Sequence, residues 1–207
     1  MVNNMKLCSR KCVHFIAFFL TAVLLSTMVS QNVQAAKKKK TVVLYFSATG
    51  TTKAVAKKIK KATKGTLIGI KASNPYTEAD LDYGDENSRV TKEHESAKSP
   101  AVSSVRSKIA NIKQIKKAVK KADIVYIGYP IWWGEAPHIM YTLVESLNLK
   151  GKVVVPFCTS ASSGLGKSAS HLKSKAVLSQ KTKWKKGRGF YDESSQKAIS
   201  KWVKKIK

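Results

Sequence analysis

Thr41-Val-Val-Leu-Tyr-Phe46, followed at once by Ser47-Ala48-Thr49-Gly50-Thr51-Thr52, decides the reading of this chain. The first six residues form a short, unbroken apolar run rich in β-branched and aromatic side chains. That is the composition of a strand buried on both faces. The next six offer hydroxyls at Ser47, Thr49, Thr51 and Thr52 around a single glycine. Beyond them Val55, Ile59 and Ala62 recur at helical spacing, with lysines filling the other side. The order is strand, hydroxyl-and-glycine turn, helix.

The same alternation continues to the end of the chain. Thr66–Ile70 reads as a second short strand. Residues 72–113 are polar, with a turn at Asn74-Pro75 and most of the acids, and read as a long connection with one or two helices, Glu86–Lys98 foremost. Gln114–Lys121 is helical and Ile124–Gly128 a third buried strand. Tyr129–Glu135 is a loop, and Pro137 opens a helix running to about Ser146. Val153–Phe157 is the fourth strand and Thr159–Gly166 a Ser/Gly loop. A helix near Lys167–Leu178, a short strand near Thr182–Gly187 and a final helix over Ser194–Lys204 follow. Strands alternating with helices predict a parallel sheet covered on both faces, with its crevice beyond the carboxyl ends of the strands.

Of the 207 residues, 39 are Lys or Arg against 12 Asp or Glu, a formal charge of +27. Only Lys6, Arg10 and Lys11 are charged before Lys37, so almost all of that excess belongs to the rest of the chain. A hydrophobic share of 43% and four Trp exclude a mostly disordered basic tail. A charge this lopsided favours anionic neighbours without naming them.

Residues 1–36 read as a targeting segment. Lys6, Arg10 and Lys11 precede an apolar run from Val13 to Val29, and Val33-Gln34-Ala35 has the small-residue pattern that a signal peptidase reads. Cleavage after Ala35 or Ala36 would export a chain starting in the basic linker 37–40, with one folded domain over 41–207. The alternative is a membrane anchor through residues 13–29, which the lysines at 37–40 would favour with the domain inside. Cys8 and Cys12 fall in the leader, so Cys158 is the domain's lone thiol and reads as a small buried residue. His94, His138 and His171 are scattered and lack metal-ligand spacing, so they read as surface or structural residues.

Three loops carry chemistry, and all three follow strands. Ser47–Thr52 can hold a phosphate monoester with main-chain N–H groups at a helix start and with hydroxyls. It has no Gly-Lys-Ser/Thr and no G-x-G-x-x-G, which sets aside a nucleoside triphosphate loop and weakens a dinucleotide reading. Tyr129-Pro130-Ile131-Trp132-Trp133-Gly134 puts adjacent indoles after a buried strand, where a flat aromatic ligand could stack. Cys158-Thr159-Ser160-Ala161-Ser162-Ser163-Gly164 offers backbone and hydroxyl groups to the edge of a ring.

Leu44–Thr52, Ile127–Gly134 and Gly151–Ser160, in that order, resemble the flavodoxin-like domains, and Asn74-Pro-Tyr-Thr77 fits the same group. The resemblance covers about Thr41–Lys207. It implies a doubly wound α/β fold with a five-stranded parallel sheet in order 2-1-3-4-5, helices on both faces and FMN at the carboxyl edge. By that likeness Ser47, Ala48, Thr49, Gly50, Thr51 and Thr52 meet the phosphate. Pro130, Ile131, Trp132, Trp133 and Gly134 flank the isoalloxazine, and Thr159, Ser160, Ala161, Ser162, Ser163 and Gly164 meet its other edge. The third loop often reads Thr-Ser-Gly-Gly-Ser-Gly in such domains. Ala161 and Ser162 replace its central glycines here, and Ala161 resists positive φ.

The function implied is electron transfer or flavin-dependent oxidoreduction, exported from the cytoplasm. The redox partner is expected to be acidic or to lie at an anionic surface, with peripheral membrane or cell-wall association through the lysines. No motif for reading a specific nucleic acid accompanies them. The alternative is a scaffold without flavin that binds anionic polymers.

Overall fold

Val42, Val43 and Leu44 are all buried in β1 (Thr41–Tyr45), which has a partner on each side. It pairs in parallel with β2 (Thr66–Gly69) and with β3 (Ile124–Pro130). The computed structural model describes residues 38–177, 179–191 and 194–206, so the expected leader over 1–36 lies outside the described residues. β3 pairs in turn with β4 (Val153–Thr159), and the order β2-β1-β3-β4-β5 is the one expected. Among the described residues no helix is long and apolar enough to cross a membrane.

The fifth lane differs from the expected single strand at Thr182–Gly187. It is split into β5 (Lys183–Trp184) and β6 (Arg188–Phe190), both parallel to β4 and opposite Val153–Val154 and Phe157–Thr159. The break has a local cause. Lys185 N donates to Val154 O, so even-numbered residues of β4 bond toward this lane. The next in that set is Pro156, which has no N–H to give. Gly187 lies so close that an added Cβ would sit 2.4 Å from Pro156 O.

Successive β1, β3 and β4 side chains alternate between two layers. Val42, Leu44, Val125, Ile127, Tyr129 and Val154 point to one side, where α3 (Ile112–Lys121), α4 (His138–Ser146) and α5 (Ser168–Lys175) lie. Val43, Tyr126, Val155 and Phe157 point to the other, against α1 (Thr51–Thr63) and α6 (Gln196–Lys204). Ile115 and Val119 show why α3 docks as it does. They are its buried residues, one turn apart, with Ile112 and Ala118 packed beside them, while its five lysines face away from the core.

The long connection leaves the carboxyl end of β2 and closes on itself. Ser73 N donates to Lys108 O and Ala110 N to Lys71 O, which clamps its two ends together. Inside it lie a 3-10 turn at Ala79–Leu81 and α2 (Arg89–Glu95), shorter than the expected Glu86–Lys98. Ser88 caps α2, and Tyr76 donates to Glu93 at 2.8 Å under the Arg89 guanidinium, 3.7 Å from the ring centroid. The connection is thus a folded appendage on the carboxyl side.

A Cβ at Gly128 would lie 2.0 Å from the Phe157 ring, so Gly128→Ala lowers stability by about 1–3 kcal/mol in urea denaturation. Adding Phe157→Leu recovers part of that loss if ring overlap is the cause. Burial also pushes the fully enclosed Cys158 thiol up to about 12, against an ordinary 9.0. Above pH 9 the unfolded chain releases a proton that the folded chain keeps. Stability therefore falls as pH rises, by up to ~1.4 kcal/mol per pH unit for this one group. Between pH 9 and 10, Cys158→Ala shows the shallower slope.

Candidate functional site

Tyr45 sits opposite Gly128, Gly128 opposite Phe157, and Pro130 opposite Thr159. The three strands therefore end nearly level, and the turns that follow emerge side by side at the carboxyl rim. Contacts between the turns make the convergence concrete. Phe46 N donates to Gly128 O at 2.9 Å and Ile131 N to Thr159 O at 2.9 Å. The Thr52 and Thr159 hydroxyls, both buried, hydrogen-bond at 2.7 Å.

The first turn is shaped by Ser47. Its Oγ accepts from Gly50 N at 3.1 Å and from Lys53 N at 3.3 Å, so Ser47 caps α1 from inside the loop. Gly50, at φ 101, takes the left-handed conformation that starts the helix. The N–H groups of Thr51 and Thr52 have no intrahelical acceptor, and no other hydrogen bond of the turn takes them up. The first helical turn has no acid, so its positive dipole end is not neutralised. Ala48 and Thr49 are exposed beside it. The turn therefore presents free N–H donors at a positive helix end, an arrangement that can receive an anion.

The second turn is a two-residue hairpin. Trp132 and Glu135 exchange N–H···O bonds of 2.9 Å in both directions, across Trp133 at φ 50 and Gly134 at φ 78. The positive φ throws the two expected indoles apart. Trp132 is tucked under the rim, edge-on to Phe46 at 5.6 Å and to Tyr76 at 5.0 Å. Trp133 stays 43% exposed, stacked on His94 at 4.6 Å with the rings 5° from parallel, and Tyr83 lies 5.3 Å away. Glu135 anchors the turn from the far side, its Oε1 2.8 Å from His171 Nδ1. Pro130 ends β3, and Ile131 is half-buried.

The third turn leaves β4 at Thr159. Ser160 N donates to Phe190 O at 3.3 Å, and Ser160 Oγ accepts from Ser163 N at 3.0 Å. Ala161, Ser162 and Ser163 are exposed. Ala161 does not take positive φ. Among the described residues only Lys64 and Trp133 do so without being glycine, and in this loop the reversal falls on Gly164 and Gly166.

The rim also gathers residues that sequence reasoning left out or treated as neutral. Tyr83, His94 and Tyr76 come from the long connection, whose path no periodicity reveals. Tyr191, 58% exposed, follows β6. With Trp133 and Tyr83 it gives the carboxyl side three exposed aromatic rings. Local charge differs from the whole-chain excess as well. Glu78, Asp80, Asp82, Asp85, Glu86 and Glu95 all belong to the appendage on this side.

Comparison with known proteins gives the same picture. The Flavodoxin family model matches residues 40–206. A candidate flavoprotein from Bacteroides eggerthii is 41% identical over 81% of this chain and 98% of its own, with a TM-score of 0.70. Another from Bacteroides uniformis is 37% identical over 81% and 99%, also at 0.70. A flavoprotein from Lactobacillus acidophilus, crystallised with FMN, shares 23% identity over 79% and 98%, at 0.53. No curated protein matches. With the family match spanning the whole folded part and three level turns at the carboxyl rim, this chain belongs to the flavodoxin family.

Proposed function

We propose that the carboxyl rim binds FMN non-covalently and that the protein serves electron transfer or flavin-dependent oxidoreduction outside the cytoplasm. The observation that carries the reading is the start of α1. There the Thr51 and Thr52 N–H groups stand free in a turn that Ser47 holds in shape. An added Cβ at Gly50 meets nothing within 4 Å, so the approach to those groups is open. A phosphate monoester matches them in charge and in donor geometry. A flavoprotein of this fold was crystallised with FMN, which supports the choice of ligand.

On this reading Ser47–Thr52 hold the phosphate, while Pro130–Gly134 and Thr159–Gly164 border the ring. Trp133 supplies a stacking face. Trp132 supports it from below, by filling the space between Phe46 and Tyr76. Bound FMN carries the electrons, and the chain's part is to orient the ring and limit its contact with water. The leader pattern over 1–36 supports export.

Titration of the purified protein with FMN tests the assignment through quenching of tryptophan fluorescence, and riboflavin serves as the probe without phosphate. FMN is expected to bind at least about 10-fold more tightly than riboflavin. Ser47→Ala should weaken FMN by roughly 10-fold and leave riboflavin nearly unchanged, since only the phosphate turn loses its cap. Trp133→Ala should weaken both ligands alike. A protein indifferent to FMN would instead support the flavin-free polymer-binding scaffold. Export has its own readout: the mature chain should begin at Ala36 or Lys37 by mass spectrometry.

A further inference from the structure

We propose that the amino edge of the sheet, opposite the rim, is a docking surface for anionic phospholipid bilayers. In a parallel sheet with crossover helices, α1, α3 and α5 run back to this edge, and each carries lysines in its last turn. The helices' negative dipole ends accommodate those cations individually, and the topology collects them at one edge. Two open grooves flank α3 there. One, of about 540 Å³, is lined by Lys116, Lys120, Lys150 and Lys152. The other, of about 500 Å³, is lined by Lys40, Lys64, Lys117 and Lys121.

No acid lines either groove. Asp123, next to this edge, is engaged by Lys40 N at 2.7 Å, and Glu145 on α4 by Arg106 at 2.8 Å. On the opposite side the acids of the appendage offset its own lysines and arginines, so the unopposed positive charge is concentrated at the amino edge. An anionic sheet would attract the amino edge and turn the rim outward, toward solvent and partners.

A bilayer fits better than a soluble polymer because the cations are spread across the whole edge, over two grooves and the ends of α1 and α5, a breadth that a flat anionic surface meets at once. Lys39 and Lys40 lead into β1 at this same edge and extend the cationic surface. Cleavage after residue 35 or 36 would leave those lysines in place. The surface does not depend on whether flavin is bound.

Residues 37–207 are the right material for the test. The core lies wholly within Lys39–Lys207, and the Bacteroides eggerthii relative consists of this domain over 98% of its length. Co-sedimentation with vesicles of about 30% phosphatidylglycerol in phosphatidylcholine should retain the protein, and pure phosphatidylcholine should not. Binding should fall steeply as salt rises from roughly 0.05 to 0.5 M. Changing Lys116, Lys117, Lys120 and Lys150 together to Gln should weaken it at least about 30-fold.

The control changes Lys71, Lys92, Lys98 and Lys108 to Gln. It removes the same charge from exposed positions on the appendage side and should cost less than about 3-fold. Circular dichroism checks that both variants are folded. Equal losses in the two variants would reduce the effect to net charge and overturn the proposal. So would equal retention on both vesicle types, or tight binding to soluble polyphosphate with none to vesicles.

Discussion

β3 has a parallel partner along each edge and only buried side chains from Ile124 to Tyr129. Everything functional in the molecule depends on that strand's position between β1 and β4. Parallel pairing in fixed register makes the three strands end together, and level ends put three turns within hydrogen-bonding distance of each other. The Thr52–Thr159 hydroxyl pair joins residues 107 positions apart in sequence. Gly128 shows how tightly this center is built, since the Phe157 ring fills the space where a side chain would begin.

The same topology governs the electrostatics. Crossover helices in a parallel sheet all return to one edge, so the lysines that end α1, α3 and α5, modest in their local effect, add to a shared field. The long connection departs from the other edge and takes most of the acids with it. The fold distributes the charge unevenly, with unopposed lysines beneath the sheet and, beside the rim, acids that offset the appendage's own cations.

The rim is held by aromatic packing as much as by hydrogen bonds. Phe46, Tyr76 and Trp132 meet edge to face at 5.0–5.6 Å and tie β1, the appendage and the second turn into one cluster. Tyr76 in turn hydrogen-bonds Glu93 and lies under Arg89, so the appendage is fastened to the floor of the site. An insertion of some forty polar residues thereby becomes one wall of the rim.

The strands, the two-layer cover and the turn that opens α1 were all legible in the sequence. Their signals are local: β-branched runs, helical spacing, and hydroxyls and glycine before Val55. The fate of the paired tryptophans was not legible, because nothing in Trp132-Trp133 says that a left-handed turn will tuck one ring against Phe46 and Tyr76 and leave the other exposed. Nor could the split of the fifth lane be read from residues 182–190, since its cause is Pro156 in the neighboring strand. Local pattern determined what each segment would be. Only tertiary structure decided which residues share the rim, which charges face it and which glycines are indispensable, because those outcomes arise from contacts between segments far apart in the chain.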